Sequence, residues 1–192
     1  MSQIAIKGAT TGTGVFTLES PATNTDRTLV LPDEAGTVLT SATPVVAQKG
    51  VPAFFVYLSS TQSSITNNVP TKIQLNTKSF DTHNFFDTTN FQFNPTIAGY
   101  YLLSWSIVNP DASASSYIQG DLVGTITTKS GAASTGISGV MYPRSSGSVI
   151  IYFNGSNDLM SLYTYGGTSS GSYSVLGGPA QAWLSGCLVR AA

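Results

Sequence analysis

The chain has 192 residues, long enough to bury a core without disulfides or metals, and only 9% of them are charged, against roughly a quarter in ordinary soluble domains. Its formal net charge is -1, and no run of Lys or Arg is dense enough to track a phosphate backbone, which argues against nucleic acid as a partner. No apolar run is long enough to cross a bilayer and the start, Met-Ser-Gln, does not read as a signal peptide, so the expectation is cytoplasmic synthesis and no membrane partner.

About a quarter of the residues are Ser or Thr, so hydroxyls rather than ions keep the surface wet. A near-neutral surface lacks the self-repulsion that keeps copies apart, and this favours assembly.

Residues 1–43 read as an attachment segment of short extended pieces. Val15 to Leu18, Thr28 to Leu31 and Thr37 to Thr40 are strand-like and are separated by Ser20-Pro21, Pro32-Asp33 and Ala35-Gly36. So few large apolar side chains cannot hold a fold alone, so the segment needs partner chains or a docking surface. The candidate docking residues are Val15, Phe16, Leu18, Leu29, Leu31, Val38 and Leu39. Residues 44–52 form a Pro-containing linker.

From residue 53 to 192 helical periodicity is absent. Short runs rich in Val, Ile, Tyr, Phe and Thr recur between Gly, Pro and Asn, the pattern of a β-sandwich or barrel. The candidate strands are Ala53 to Leu58, Lys72 to Leu75, Phe91 to Phe93, Tyr100 to Val108, Tyr117 to Ile126, Val149 to Phe153, Leu159 to Tyr165 and Trp183 to Val189. About eight antiparallel strands make a jelly roll the expected fold of this all-β head.

In Tyr100 to Val108, period two puts Tyr101, Leu103, Trp105 and Ile107 on one face and Ser104 and Ser106 on the other, so the strand reads as half buried. Val149 to Phe153 is apolar on both faces, and Leu159 to Tyr165 has only Ser161 and Thr164 as polar breaks. The outer faces of a sandwich ordinarily meet water, so a second apolar face implies a subunit interface. Its candidates are Tyr100, Ile150, Tyr152, Met160, Leu162 and Trp183.

The stretch Phe91-Gln-Phe-Asn-Pro-Thr-Ile-Ala-Gly-Tyr-Tyr101 resembles the aromatic, proline, glycine, tyrosine signature of the jelly rolls shared by tumour necrosis factor and the complement first-component q globular heads. Ala53 to Val56, Pro70 to Leu75, Phe80-Asp81, Phe86-Asp87, Asn157 to Leu159, Leu162-Tyr163 and Ala182 to Val189 resemble further pieces of that family in order, over about residues 53–190. The resemblance implies the jelly-roll fold and threefold self-assembly. It does not carry over the secreted members' roles, since a signal peptide and a collagenous stalk are both missing from this sequence. Separately, Leu29 to Thr40 resembles a short repeat of tail-fibre and head-surface proteins of tailed bacteriophages.

Residues suited to chemistry are few. Gly167-Thr-Ser-Ser-Gly171 has the letters of a nucleophile elbow, but no helix follows and the run is low-complexity, so it reads as a loop. His83, the single histidine, stands in Asp81 to Asp87, which matches no calcium-loop spacing and reads as a polar loop. Asn154-Gly155 reads as a turn, and the single Cys187, in an apolar strand, as core packing. No catalytic residue, metal or cofactor is expected.

The expected role is therefore that of a non-enzymatic virion-surface protein: a trimeric knob decorating and stabilising a bacteriophage capsid, with the N-terminal segment on the major capsid protein or another virion protein. The alternative is the receptor-binding tip of a tail fibre or baseplate, meeting a host glycan or receptor through loop residues such as Tyr142, Tyr165 and Tyr173.

Overall fold

A computed structural model describes residues 50–111, 115–131, 133–136 and 142–192, together with residues 11, 13, 25 and 26. The chain divides into two compact units, Met1–Thr40 and Ser41–Ala192, and the head belongs to the second. The docking candidates Val15, Phe16, Leu18, Leu29, Leu31, Val38 and Leu39 lie outside the described residues.

Among the described residues every regular element is a strand. In chain order these are β1 (Ala53–Tyr57), β2 (Gln62–Thr66), β3 (Thr71–Lys72), β4 (Thr77–Asp81), β5 (Phe86–Asp87), β6 (Gln92–Phe93), β7 (Gly99–Val108), β8 (Tyr117–Gly124), β9 (Thr128–Ser130), β10 (Ser134–Thr135), β11 (Arg144–Phe153), β12 (Met160–Gly167), β13 (Ser172–Val175) and β14 (Trp183–Ala191).

One sheet has the order β11-β7-β14-β1-β4, a second runs β10-β8-β12-β6-β5 with β3 also on β12 and β9 on β8, and β13 pairs with β2. The chain passes from one main sheet to the other between β7 and β8 and again between β11 and β12, and neighbouring strands are antiparallel. This is the jelly-roll β-sandwich that the strand pattern implies.

The core lies between the sheets. From β7 come Tyr101, Leu103, Trp105 and Ile107, the face that period two selects, and opposite them stand Ile118, Leu122, Met160 and Leu162. Burying each such side chain stabilises the fold by about 1.5–3 kcal/mol. An aromatic cluster fills one end: Phe93 stacks on Phe54 at 4.6 Å and meets Tyr101 and Phe153 edge-on, each at 5.3 Å.

Two features of the sequence mislead about these strands. β11 begins at Arg144, five residues before the apolar run, because Gly147 faces Trp105 across the ladder. A Cβ there would come within 2.4 Å of the indole, so the tryptophan from β7 fills space that a larger β11 residue would otherwise occupy. β12 divides its large side chains between its two faces. Met160, Leu162 and Thr164 point inward, where the Tyr173 phenol donates to Thr164 Oγ1 at 3.2 Å, while Tyr163 and Tyr165 point outward.

The corner between β4 and β5 is held by one carboxylate. Asp81 accepts from Lys78 Nζ at 2.9 Å, Phe86 N at 2.9 Å and Phe85 N at 3.0 Å. Burial pushes this carboxyl up, but the Lys78 hydrogen bond and the two N–H groups outweigh it and hold the group below the ordinary carboxylate range.

Two buried phenols make the sandwich sensitive to alkali. Tyr101, donating to Ile97 O at 2.9 Å, and Tyr173 are both pushed by burial up to about 12. A folded-state pKa above the unfolded value means stability that is complete below the ordinary tyrosine value of 10.0 and is lost as pH rises through about 12. Denaturant melts across this range should be flat to pH 10.0 and fall beyond it, and Tyr173→Phe should reduce the fall. A stability independent of pH up to about 12 would contradict the burial of both groups.

Candidate assembly face

The face of the five-stranded sheet turned away from the core is set by cross-strand register. Tyr152 lies opposite Tyr100, Ile150 opposite Leu102, and Leu102 in turn opposite Cys187, which faces Ala53. One row along, Ser148, Ser104, Ser185, Phe55 and Phe80 follow one another across the sheet, and next to it run Ser146, Ser106, Trp183 and Tyr57. Directly opposed residues share a face.

This face carries two apolar patches. At one end Tyr100, Leu102, Ile150 and Tyr152 stand in the open, Ile150 at 57% and the two tyrosines at 46% and 43% exposure, with the tyrosine rings 5.3 Å apart. Towards the β4 edge, Phe55 stacks on Trp183 at 5.6 Å and Phe80 is half exposed beside it. A seam of serines from β11, β7 and β14 separates the two.

The chain covers part of this face itself. The Arg144 guanidinium donates to Ser106 Oγ at 3.0 Å, Ala180 O at 3.3 Å and Gln181 Oε1 at 3.1 Å, so the segment before β14 lies over the Val108 end and Ser106 is buried. Nothing among the described residues does the same for Ile150, Tyr152, Tyr100 or Leu102. Contiguous apolar surface of this kind, rimmed by polar groups, marks an interaction site.

The structure sorts the interface candidates. Tyr100, Ile150 and Tyr152 come together on this face, and Trp183 is half buried on its other patch. Met160 and Leu162 are fully enclosed in the intrachain core and cannot touch another copy, since β12 turns these two inward against the first sheet. Leu102, Phe55 and Phe80 complete the face. The alternation that places Tyr101 inward also places Leu102 outward, so that residue is within reach of the sequence.

Cys187 is on the outer face too, half buried beside Leu102, not in the core: Leu184 points inward, and odd-numbered neighbours up to Cys187 therefore point out. Of the loop tyrosines, Tyr142 is exposed, Tyr165 belongs to β12, and Tyr173 in β13 is buried. The Gly167–Gly171 letters span the end of β12 and the turn into β13, where Thr168 Oγ1 donates to Ser172 O at 2.6 Å. Asn154-Gly155 is a turn, with Gly155 at φ +74° and Asn154 Oδ1 accepting from Ser156 N at 2.8 Å.

No family model and no curated protein matches the sequence. Solved structures do match the fold. The globular domain of zebrafish complement 1qA protein aligns over 74% of this chain and 99% of its own, with a TM-score of 0.56 at 16% identity. Eiger TNF from S. frugiperda covers 73% of this chain and 95% of its own (TM-score 0.53, 11% identity), and murine APRIL 72% and 99% (TM-score 0.52, 8% identity). At these identities the likeness shows the fold, a jelly roll of the tumour necrosis factor and complement q type.

Proposed function

We propose that this chain is a non-enzymatic structural protein of a bacteriophage particle, a trimeric knob that decorates and stabilises the capsid. In this reading the outer face of the β11-β7-β14-β1-β4 sheet joins the copies and the N-terminal segment docks the trimer on the major capsid protein or another virion protein. The observation that carries it is the uncovered apolar patch of Tyr100, Leu102, Ile150 and Tyr152. Leaving it in water forgoes about 25 cal/mol for each Å² that another copy would bury.

Threefold order is supported by the resemblance of Phe91 to Tyr101 to the tumour necrosis factor and complement q signature, and the virion by the phage-type repeat in Leu29 to Thr40. A closed ring needs one patch to meet a different one on the next copy, and this face offers two unlike apolar patches on either side of the serine seam. Many weak contacts repeated by symmetry would then hold the shell through avidity. The runner-up reading, a receptor-binding tail tip, draws on the exposed Tyr142.

Sedimentation velocity on the purified chain is expected to give a trimer, and electron microscopy of particles labelled with antibody to the head should show label over the capsid in scores of copies. A compact monomer at high concentration would remove the first half of the proposal, and label at the tail alone would replace the second half with the runner-up.

A further inference from the structure

The chain enters the head at one end of the sandwich. Pro52 O accepts from Leu188 N at 2.9 Å and Ala53 lies opposite Cys187, so the chain before residue 50 joins at the end where β7 begins and β11 finishes. β14 finishes there too, with Ala191 opposite Gly99. The turn from β11 into β12 packs on the same end, since a Cβ on Gly155 would come within 2.6 Å of Ala98 N. Beside it lies the turn that follows β8, where Thr125 N donates to Leu159 O at 3.2 Å.

Apolar exposure is concentrated at this end. Val51, Val189 and Ile126 stand open there, in addition to the Tyr100, Leu102, Ile150 and Tyr152 patch. At the opposite end the large apolar side chains left open among the described residues are Val69 and Tyr142. The turns there are closed by polar groups instead: Asn67 Nδ2 donates to Thr168 O at 2.7 Å, and Thr168 N donates to Asn67 Oδ1 at 3.2 Å. Ile126 belongs to a turn of the β10-β8-β12-β6-β5 sheet, so copies joined through the outer face of the other sheet leave it uncovered.

We infer that the head meets the virion by this end, and that its partner there is an aliphatic, uncharged protein surface of the shell. The inference rests on the proposed structural role and adds to it which end of the head faces the particle. Anchoring the N-terminal segment makes every further contact intramolecular, and the end from which that segment leaves has the highest effective concentration at the shell. The side chains that such a contact would cover, Val51, Ile126 and Val189, are aliphatic, which suits a protein surface of the same kind. The polar end with Asn67, Thr168 and Ser169 is then the one displayed outward.

The test is labelling of particles with a bulky maleimide, in a Cys187→Ser background that carries one new thiol, either Ile126→Cys or Ser169→Cys. Both positions are exposed in the single chain, so the free protein should label at each. On particles Ser169→Cys should label as it does in the free protein, whereas Ile126→Cys should lose its labelling. Thr128→Cys, exposed at the same turn, takes the place of Ile126→Cys should that variant not fold. Labelling of Ile126→Cys on particles at the free rate, or loss of labelling at Ser169→Cys instead, would overturn the inference. Antibody to the head on the same particles reports the capsid role separately. Antibody at the tail with Ile126→Cys still shielded would retire that role and uphold the mounting by this end.

Discussion

Ile150→Asp is expected to give a folded single chain in place of the proposed trimer. Ile150 sits on β11 with 57% of its surface open, opposite Leu102 and one step from the Tyr100–Tyr152 pair, so in an isolated copy a carboxylate there meets water and disturbs no core contact. In an assembly that buries this patch, every copy would enclose an unpaired charge. The effective penalty is several kcal/mol per ion, repeated at each symmetry-related contact.

The expected readout is loss of the proposed trimer in sedimentation velocity with an unchanged far-ultraviolet circular dichroism spectrum. Ile150→Val, which keeps the patch apolar, should still assemble. Retention of an oligomer by the Asp variant would show that this face is not the joint. The same Asp substitution at Met160 or Leu162 would instead unfold the chain, because those side chains have no exposed surface.

Phe93→Ala should be among the most destabilising single changes in the head. The ring is 1% exposed and lies among Phe54 at 4.6 Å, Tyr101 at 5.3 Å, Phe153 at 5.3 Å and Phe85 at 6.4 Å, so it ties β1, β6, β7 and β11 together at one point. Truncation removes the transfer free energy of the ring and leaves a cavity between sheets that cannot both close on it, at a cost of about 3–5 kcal/mol.

Urea melts would report that loss directly, and for a chain of this length the thermal midpoint should fall by about 2–4 °C for each kcal/mol. Should the Ala variant not accumulate, Phe93→Leu gives a smaller effect of the same sign. A loss of under about 1 kcal/mol would mean that the ring is not the keystone its surroundings indicate.

Much of the head's architecture is legible without coordinates, and for one reason: strands alternate. The inward set of β7 follows from counting by two from Tyr101, and the missing helical periodicity points to an all-β sandwich. Polar edge strands escape that logic. β2 (Gln62–Thr66) and β4 (Thr77–Asp81) have too little hydrophobic contrast to register, since a solvated edge needs none. The first half of β11 escapes it as well, because its Ser and Gly side chains are small where the Trp105 indole fills the space.

Local pattern alone determined that strands exist and which residues of each share a face. Only the tertiary structure decided which face of β12 turns inward and which of β11 stays bare, because parity is a property of one strand whereas inside and outside are properties of a sheet paired through residues far apart in the chain.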